Sequence, residues 1–571
     1  MKSEGRPTML DRSRRGWALG ALVAALPTVA LGLSCAGQLS DACDELGTCQ
    51  VPPGADARAG DAGAEHACDP TKDPADEPCV LDNALGVFVA SAAGIEGDTD
   101  AGEAGAEPAN GDGSMARPYA SIAQALENLG GKTRVYVCNG AYGEQVRLTT
   151  AVSVYGGLAC TGDAGDRVWS YAGESAQVTS PSPGYALSVE GVDAGSVTLE
   201  DLSFTAPSAT AAGASSIAAL VASSVVTLRR VTLSAGNGAD GEAGADGTQN
   251  PNYTGFAPDG GAQMGNSGGL PISGGAGGVN ACLQFGSSAG GDGGLGCSPG
   301  PSSPGLGTPG TANPEAPATT AGRDGLPMGT VVPIDGGAAV TVSADDPGAD
   351  GLAGDGGVAA LAQVYGTLSS SGWTPSAGGD GANGDPGQGG AGATDPLYGR
   401  CGTPAQSLGG GGGGAGGCGG SGGQGGGGGG ASIALAIVAS TVDLKDCVVI
   451  TGAAGTGGAG GAGQDGQAGG PGGDASFGSN PHAPGAAGGN GAGGSGGAGG
   501  TGGISVGILS TGSTITSDMA SESTTLGSSG TGGAPGVSGR HPTGGALTTG
   551  TDGNPGAPGS PGTSVAVLSL M

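Results

Sequence analysis

The sequence predicts an all-β chain whose short strands stack as successive coils, broken by long glycine-rich insertions. Three observations carry this. Of 571 residues, 134 are Gly and 36 Pro, and aromatic residues make up only 3%. Gly inside a helix or strand sacrifices about 0.5–1 kcal/mol relative to Ala, so this composition argues against one compact enzyme domain with a thick core. Second, Val197-Thr198-Leu199-Glu200-Asp201-Leu202-Ser203-Phe204 matches Val226-Thr227-Leu228-Arg229-Arg230-Val231-Thr232-Leu233 at an offset of 29, a fitting length for one coil. Third, Val135 and Val137, Val146 and Leu148, and Val152 and Val154 alternate with polar residues at the period of two that marks strands.

Residues 1–34 read as an export signal. Lys2, Arg6, Arg12, Arg14 and Arg15 precede an apolar run from Trp17 to Leu33, the layout of a signal peptide. Leu31-Gly32-Leu33-Ser34-Cys35 resembles a bacterial lipobox, although Gly32 stands where an aliphatic residue is usual. That resemblance implies lipidation of Cys35 and a membrane anchor through the N-terminus, outer-membrane or cell-surface in location; an ordinary cleaved signal is the alternative. Ser13-Arg14-Arg15-Gly16-Trp17 also resembles a twin-arginine motif, so the export route stays open. No later segment reaches the ~20 apolar residues of a bilayer crossing.

Residues 35–85 read as an acidic tether. The chain has 12 cysteines, and those beyond Cys35 fall into close neighbours: Cys43 with Cys49, Cys68 with Cys79, Cys138 with Cys160, Cys282 with Cys297, and Cys401 with Cys418, leaving Cys447. Local disulfides between these neighbours suit an oxidising envelope or extracellular space, and no C-x₂-C spacing supports zinc.

Order is expected from Gly86. After the strand Gly86–Val89, Ser121 and Gln124 form a capping box, with Ile122, Ala125, Leu126 and Leu129 on one helical face. The succession Gly113-Ser114…Arg117-Pro118-Tyr119, helix, Val135-Tyr136-Val137-Cys138-Asn139-Gly140-Ala141-Tyr142-Gly143-Glu144, then Val152-Ser153-Val154-Tyr155-Gly156-Gly157 resembles the cap and first coils of the pectin-lyase-like superfamily. The resemblance covers residues 86–235. It implies a right-handed parallel β-helix whose open N-terminal end is plugged by the helix.

Further coils are expected at 431–451, where Asp443 to Val449 repeats the pattern, and at 503–571, ending in a strand from Val565 to Leu570. Ile217–Ser223, Ile433–Ser440 and Ile504–Ser510 correspond to one another. Between them lie Gly-rich insertions at 236–430 and 452–502. Gly238 to Gly247 and Gly457 to Gly472 keep Gly at every third position, the period of polyproline II. This leaves disordered linkers or side-by-side polyglycine II strands, the second favoured for the longest runs. The whole layout is similar to bacterial secreted proteins of the glycine-rich PGRS family, which resemble PE-PGRS proteins in composition.

The chain carries 50 acidic against 18 basic residues, a formal charge of -32, which makes nucleic acid an improbable partner. Ca²⁺ binding in Asp-Gly loops is the sharper reading of this charge. Solubility and self-repulsion is the favoured one, because the calcium-binding nonapeptide does not recur. His66, His482 and His541 lack a nucleophile pattern beside them, and no cofactor motif stands out. Glu200, Asp201, Arg229 and Arg230 fall on adjacent coils, as catalytic clusters of some pectin-lyase-like enzymes would, but an ion-pair ladder is the favoured reading, and no catalytic residue is named. The expectation is a non-enzymatic surface lipoprotein, structural or adhesive, whose partners are the membrane and an extracellular polysaccharide or matrix. A polysaccharide-binding protein or lyase is the alternative.

Overall fold

The structure is a computed structural model, describing residues 68–91, 111–162, 166–248, 255–262, 273–282, 286–294, 307–313, 356–357, 364–393, 409–474, 484–518, 523–544 and 546–570. The chain divides into two compact units, Met1–Ala67 and Cys68–Met571, and every described residue belongs to the second. The signal segment, Cys35, Cys43, Cys49, His66, Cys297, Cys401 and His482 lie outside the described residues.

The protein is nearly all β, and its main sheets are parallel. One sheet runs through Gly86–Val89, Arg134–Cys138, Ser153–Thr161, Val197–Glu200, Val225–Arg229, Thr441–Lys445 and Thr514–Ser517. A second runs through Ala141–Tyr142, Ala176–Thr179, Leu202–Ala206, Thr232–Ala235, Val448–Ile450 and Thr524–Thr525. A third runs through Val146–Leu148, Tyr185–Glu190, Ser216–Ala222, Ser432–Val438, Ser505–Thr511 and Ser564–Leu570. From Arg134 onward the chain visits first, second and third sheet in rotation. The 29-residue repeat is therefore one circuit, and Val226 pairs with Val197 in parallel register.

On its other side Val226 pairs with Val442. The insertion after Ala235 thus leaves the register of the stack intact, as expected when closing a longer loop adds only about 0.6 kcal/mol per doubling of its length. One expected correspondence slips: Ile433 pairs with Ile217 but also with Val506, so Ile504 precedes the strand it was expected to open. Aliphatic side chains, chiefly Val, Leu and Ala, fill the column between the sheets. Leu187, Ala219, Leu435 and Ile508 stack along it, the first three fully buried.

The helix Ile122–Glu127 begins at Ser121, whose side chain accepts from the Gln124 N–H. Glu144 accepts from the next two orphan donors, the N–H groups of Ile122 and Ala123, both at 2.9 Å. Ile122 and Ala125 are buried in the column's apolar cluster. Order begins before Gly86: the disulfide Cys68–Cys79 closes a loop, and Val80 just after it is fully buried; Arg134 donates to the carbonyls of Lys72 and Pro70, and Tyr136 to that of Val80.

The described glycine-rich runs are ordered by hydrogen bonds with a period of three. Gly414, Gly417, Gly420, Gly423, Gly426 and Gly429 donate to Ala486, Gly489, Ala492, Ser495, Ala498 and Thr501. From the opposite side, Gly455, Gly458, Gly461, Gln464, Gln467, Gly470 and Gly473 donate to the carbonyls of Gly430, Gly427, Gln424, Ser421, Cys418, Ala415 and Gly412. The donors named here reach neighbouring strands and not their own, as expected of extended runs that make no internal bonds. A bonding period of three is the one expected of polyglycine II, and these runs form a hydrogen-bonded plate continuous in sequence with the third sheet. Run 409–430 is nearly all buried, and a Cβ on Gly423 would fall onto the carbonyl oxygen of Gly461. Glycine is here a packing requirement.

Two disulfides join expected neighbours, Cys68–Cys79 and Cys138–Cys160. The third corrects two expectations: Cys282 pairs with Cys418, across 136 residues, so Cys282 does not pair with Cys297 and Cys418 does not pair with Cys401. Sequence proximity misleads here because the plate sets distant strands side by side: Asn280 reaches the carbonyl of Gly416, two residues before Cys418.

Candidate functional site

The four charged residues of the repeat come together. Glu200 and Arg229 are directly paired in register, and Arg229 Nη1 lies 2.7 Å from Glu200 Oε1. Arg230 Nε lies 2.7 Å from Asp201 Oδ1, with Arg230 Nη2 2.9 Å from Asp201 Oδ2, a two-pronged contact. Arg230 Nη2 also reaches Glu200 Oε2 at 3.3 Å. The turn explains this placement. Asp201, Arg230 and Asp446 have φ of 53°, 53° and 51°, so the same left-handed corner recurs in three successive coils and aims equivalent side chains along one line.

Asp73 was not expected here. Its Oδ2 sits 2.7 Å from Arg229 Nη1, which pins the N-terminal disulfide loop across the sheet. No spacing in the sequence announces a partner 156 residues away. Glu200 is 2% exposed and Asp201 4%. Burial pushes the Glu200 carboxyl above its usual range, against the opposing hydrogen bond from Arg229. Hydrogen bonding to Asp201 holds the Arg230 guanidinium even more firmly charged than usual.

Beside this ladder a polar cleft of about 360 Å³ lies between the loop and the sheet, lined among others by Lys72, Asp76, Thr198, Thr227, Asp443 and Lys445. Lys445 is itself paired with Asp443 at 2.9 Å. The cleft offers hydroxyls and fixed charges of both signs. Its one aromatic residue, Tyr155, is 6% exposed and covered by the Arg134 guanidinium.

Several acidic side chains considered for Ca²⁺ have structural contacts in the plate. Asp240 accepts from the Thr456 N–H, Asp246 from Ala462, Asp380 from Gly425, Asp465 from Arg540 and Asp552 from His541. Each caps a backbone donor on a neighbouring strand. The hydrogen bonds from Thr456 lower the Asp240 carboxyl, and those from His541 lower Asp552. Cys68, Glu77 and Cys79 are the one grouping of potential metal ligands among the described residues, and its two sulfurs are joined to each other. Among the described residues no helix is long and apolar enough to cross a membrane.

No family model, no curated protein and no solved structure matches the chain.

Proposed function

We propose that the three parallel sheets form a right-handed β-helix of the pectin-lyase-like kind, carrying its polyglycine plate as a flange. In this reading the protein is a non-enzymatic scaffold displayed on the cell envelope, structural or adhesive, related to glycine-rich PGRS proteins. It is exported by residues 1–34 and held to a membrane by lipid on Cys35, with an extracellular polysaccharide or matrix as its other contact and no cofactor. The observation that carries it is the mutual pairing of Glu200, Asp201, Arg229, Arg230 and Asp73. These groups hold neighbouring coils and the loop together, a use of charge that calls for no substrate.

The second reading, a polysaccharide-binding protein or lyase, is favoured by the cleft with Thr198, Thr227, Lys72 and Lys445. Incubation with polyuronides, followed by ultraviolet absorbance of unsaturated products, separates the two. The scaffold reading expects no turnover, and turnover that survives repurification and disappears in Lys445→Ala would overturn it. Mass spectrometry of the mature N-terminus tests the anchor: an acylated peptide beginning at Cys35 is expected, and an unmodified start elsewhere removes the lipid from the account.

A further inference from the structure

Among the described residues the three disulfides differ in their surroundings. Cys138–Cys160 and Cys282–Cys418 are buried, with none of the four residues above 6% exposure. Both cysteines of Cys68–Cys79 are exposed. This bond therefore fastens no core, and its use lies in the two points of the chain that it joins. Cys68 is the first residue of the second compact unit, so any pull on the preceding segment enters the ordered body there. Cys79 is followed at once by Val80, which is fully buried and whose carbonyl accepts from the Tyr136 hydroxyl. Beyond it Gly86–Val89 is buried along its whole length and paired in parallel with residues 134–137.

The stretch between the two cysteines, 69–78, is a strap on the first sheet. It also forms part of the wall of the polar cleft, through Thr71, Lys72, Asp73 and Asp76. Its attachments gather near its N-terminal end: Arg134 donates to the carbonyls of Pro70 and Lys72, and Arg229 pairs with Asp73. Without the disulfide, tension arriving at Cys68 falls on these contacts one after another, and they peel singly. With it, tension passes from Cys68 directly to Cys79 and Val80 and into a strand bonded deep in the fold, and the strap carries none of it.

We propose that Cys68–Cys79 is a tension clamp at the junction of tether and column, which keeps the strap seated, with Asp73 on Arg229, while the N-terminus is pulled. This rests on the reading in which the N-terminal tether is the attached end of the molecule. The clamp has a measurable length. Cys68 and Cys79 are 11 positions apart and their Cα atoms lie 5.9 Å from each other while bonded. The same stretch pulled straight spans about 36–40 Å, so opening the clamp releases about 30 Å of chain.

The test is single-molecule pulling on the full chain, with one handle on the tether between Cys49 and Cys68 and a second, bioorthogonal handle at Val225, an exposed position of the first sheet. The first handle replaces the lipid as the point of attachment, so the outcome is independent of acylation at Cys35, which the mass of the mature N-terminus decides separately. Wild type is expected to keep its length until the column itself yields. Cys68→Ser with Cys79→Ser should add one early step of about 30 Å at lower force, and adding Arg229→Ala should lower that force again. Wild type in a dithiol reductant, under conditions where peptide mapping finds Cys138–Cys160 and Cys282–Cys418 still intact, should give the same early step, because an exposed disulfide exchanges with thiols more readily than a buried one. This arm decides the matter if the double variant does not fold. An early step in oxidised wild type, its absence from the folded double variant or the reduced protein, or a step indifferent to Arg229→Ala would overturn the proposal.

Discussion

At the residue scale, the ladder is the feature in which sequence and structure speak to each other most directly. Arg229→Ala removes the shared partner of Glu200 and Asp73, both buried. Glu200 then keeps only the longer contact with Arg230 and Asp73 loses its pairing with Arg229, a loss of about 1–3 kcal/mol, here towards the lower figure because the guanidinium is one-third exposed. A urea melt should show that loss, and limited proteolysis should show the Cys68–Cys79 loop loosening first. The pH dependence of Glu200 follows from its raised carboxyl. The folded chain holds that proton more tightly than the unfolded chain does, so this group opposes folding when ionised. Its contribution therefore improves as pH falls from the raised folded value towards the ordinary 4.5. Wild type should gain stability relative to Glu200→Gln over that window, measured by urea melts at successive pH. A relative loss would show that the carboxyl is not raised by burial.

At the element scale, coils and plate were legible to different degrees. The 29-residue offset became the Val197 to Val226 register, because an inward-facing Val-x-Leu recurs wherever the same sheet closes the same column. A serine ladder accompanies it: Ser440 Oγ accepts from the Ser224 N–H and Ser513 Oγ from that of Ser440, one position after each turn. Its signal in the sequence is Ser223-Ser224, Ala439-Ser440 and Gly512-Ser513, short pairs easily lost among other small residues. In the run 409–430 the sole non-glycine residues are Ala415, Cys418, Ser421 and Gln424, spaced by three. That spacing shows which face of the strand has room for a side chain. The partner strands could not be read, since glycine carries no side chain to encode register, and the Cys282–Cys418 bond was unforeseen for the same reason.

The same physics separates glycines of the plate from glycines in the turns between strands. Gly423→Ala sets a methyl group against the backbone of Gly461, where no side chain can give way, and should destabilise by about 1–3 kcal/mol or more. Gly143→Ala meets nothing within 4 Å and should stay within about 0.5 kcal/mol of wild type. Thermal melts of the two variants make the comparison. Replacing Cys282 and Cys418 by Ser removes a cross-link over 136 residues, and chain entropy puts the loss at about 3–5 kcal/mol. Non-reducing peptide mapping should recover the Cys282–Cys418 pair, whereas a Cys282–Cys297 pair would contradict the arrangement of the plate.

At the scale of the whole molecule, two kinds of order are continuous along one chain. Each described pass through the plate at 409–430, 484–503 and 551–562 leads into a strand of the third sheet, Ser432–Val438, Ser505–Thr511 or Ser564–Leu570. Column and plate thus grow together, coil by coil, and little apolar material is needed because backbone hydrogen bonds knit the plate. Glycine, which in a loop would signify freedom, is here enclosed, run 409–430 being nearly all buried. Hydrogen exchange read by mass spectrometry tests this central claim most directly. If the plate is ordered as described, peptides from 409–430 and 485–503 exchange as slowly as those from Ser216–Ala222 and Ser432–Val438. Exchange of the glycine runs at the rate of an unstructured chain, with the strands still protected, would contradict it.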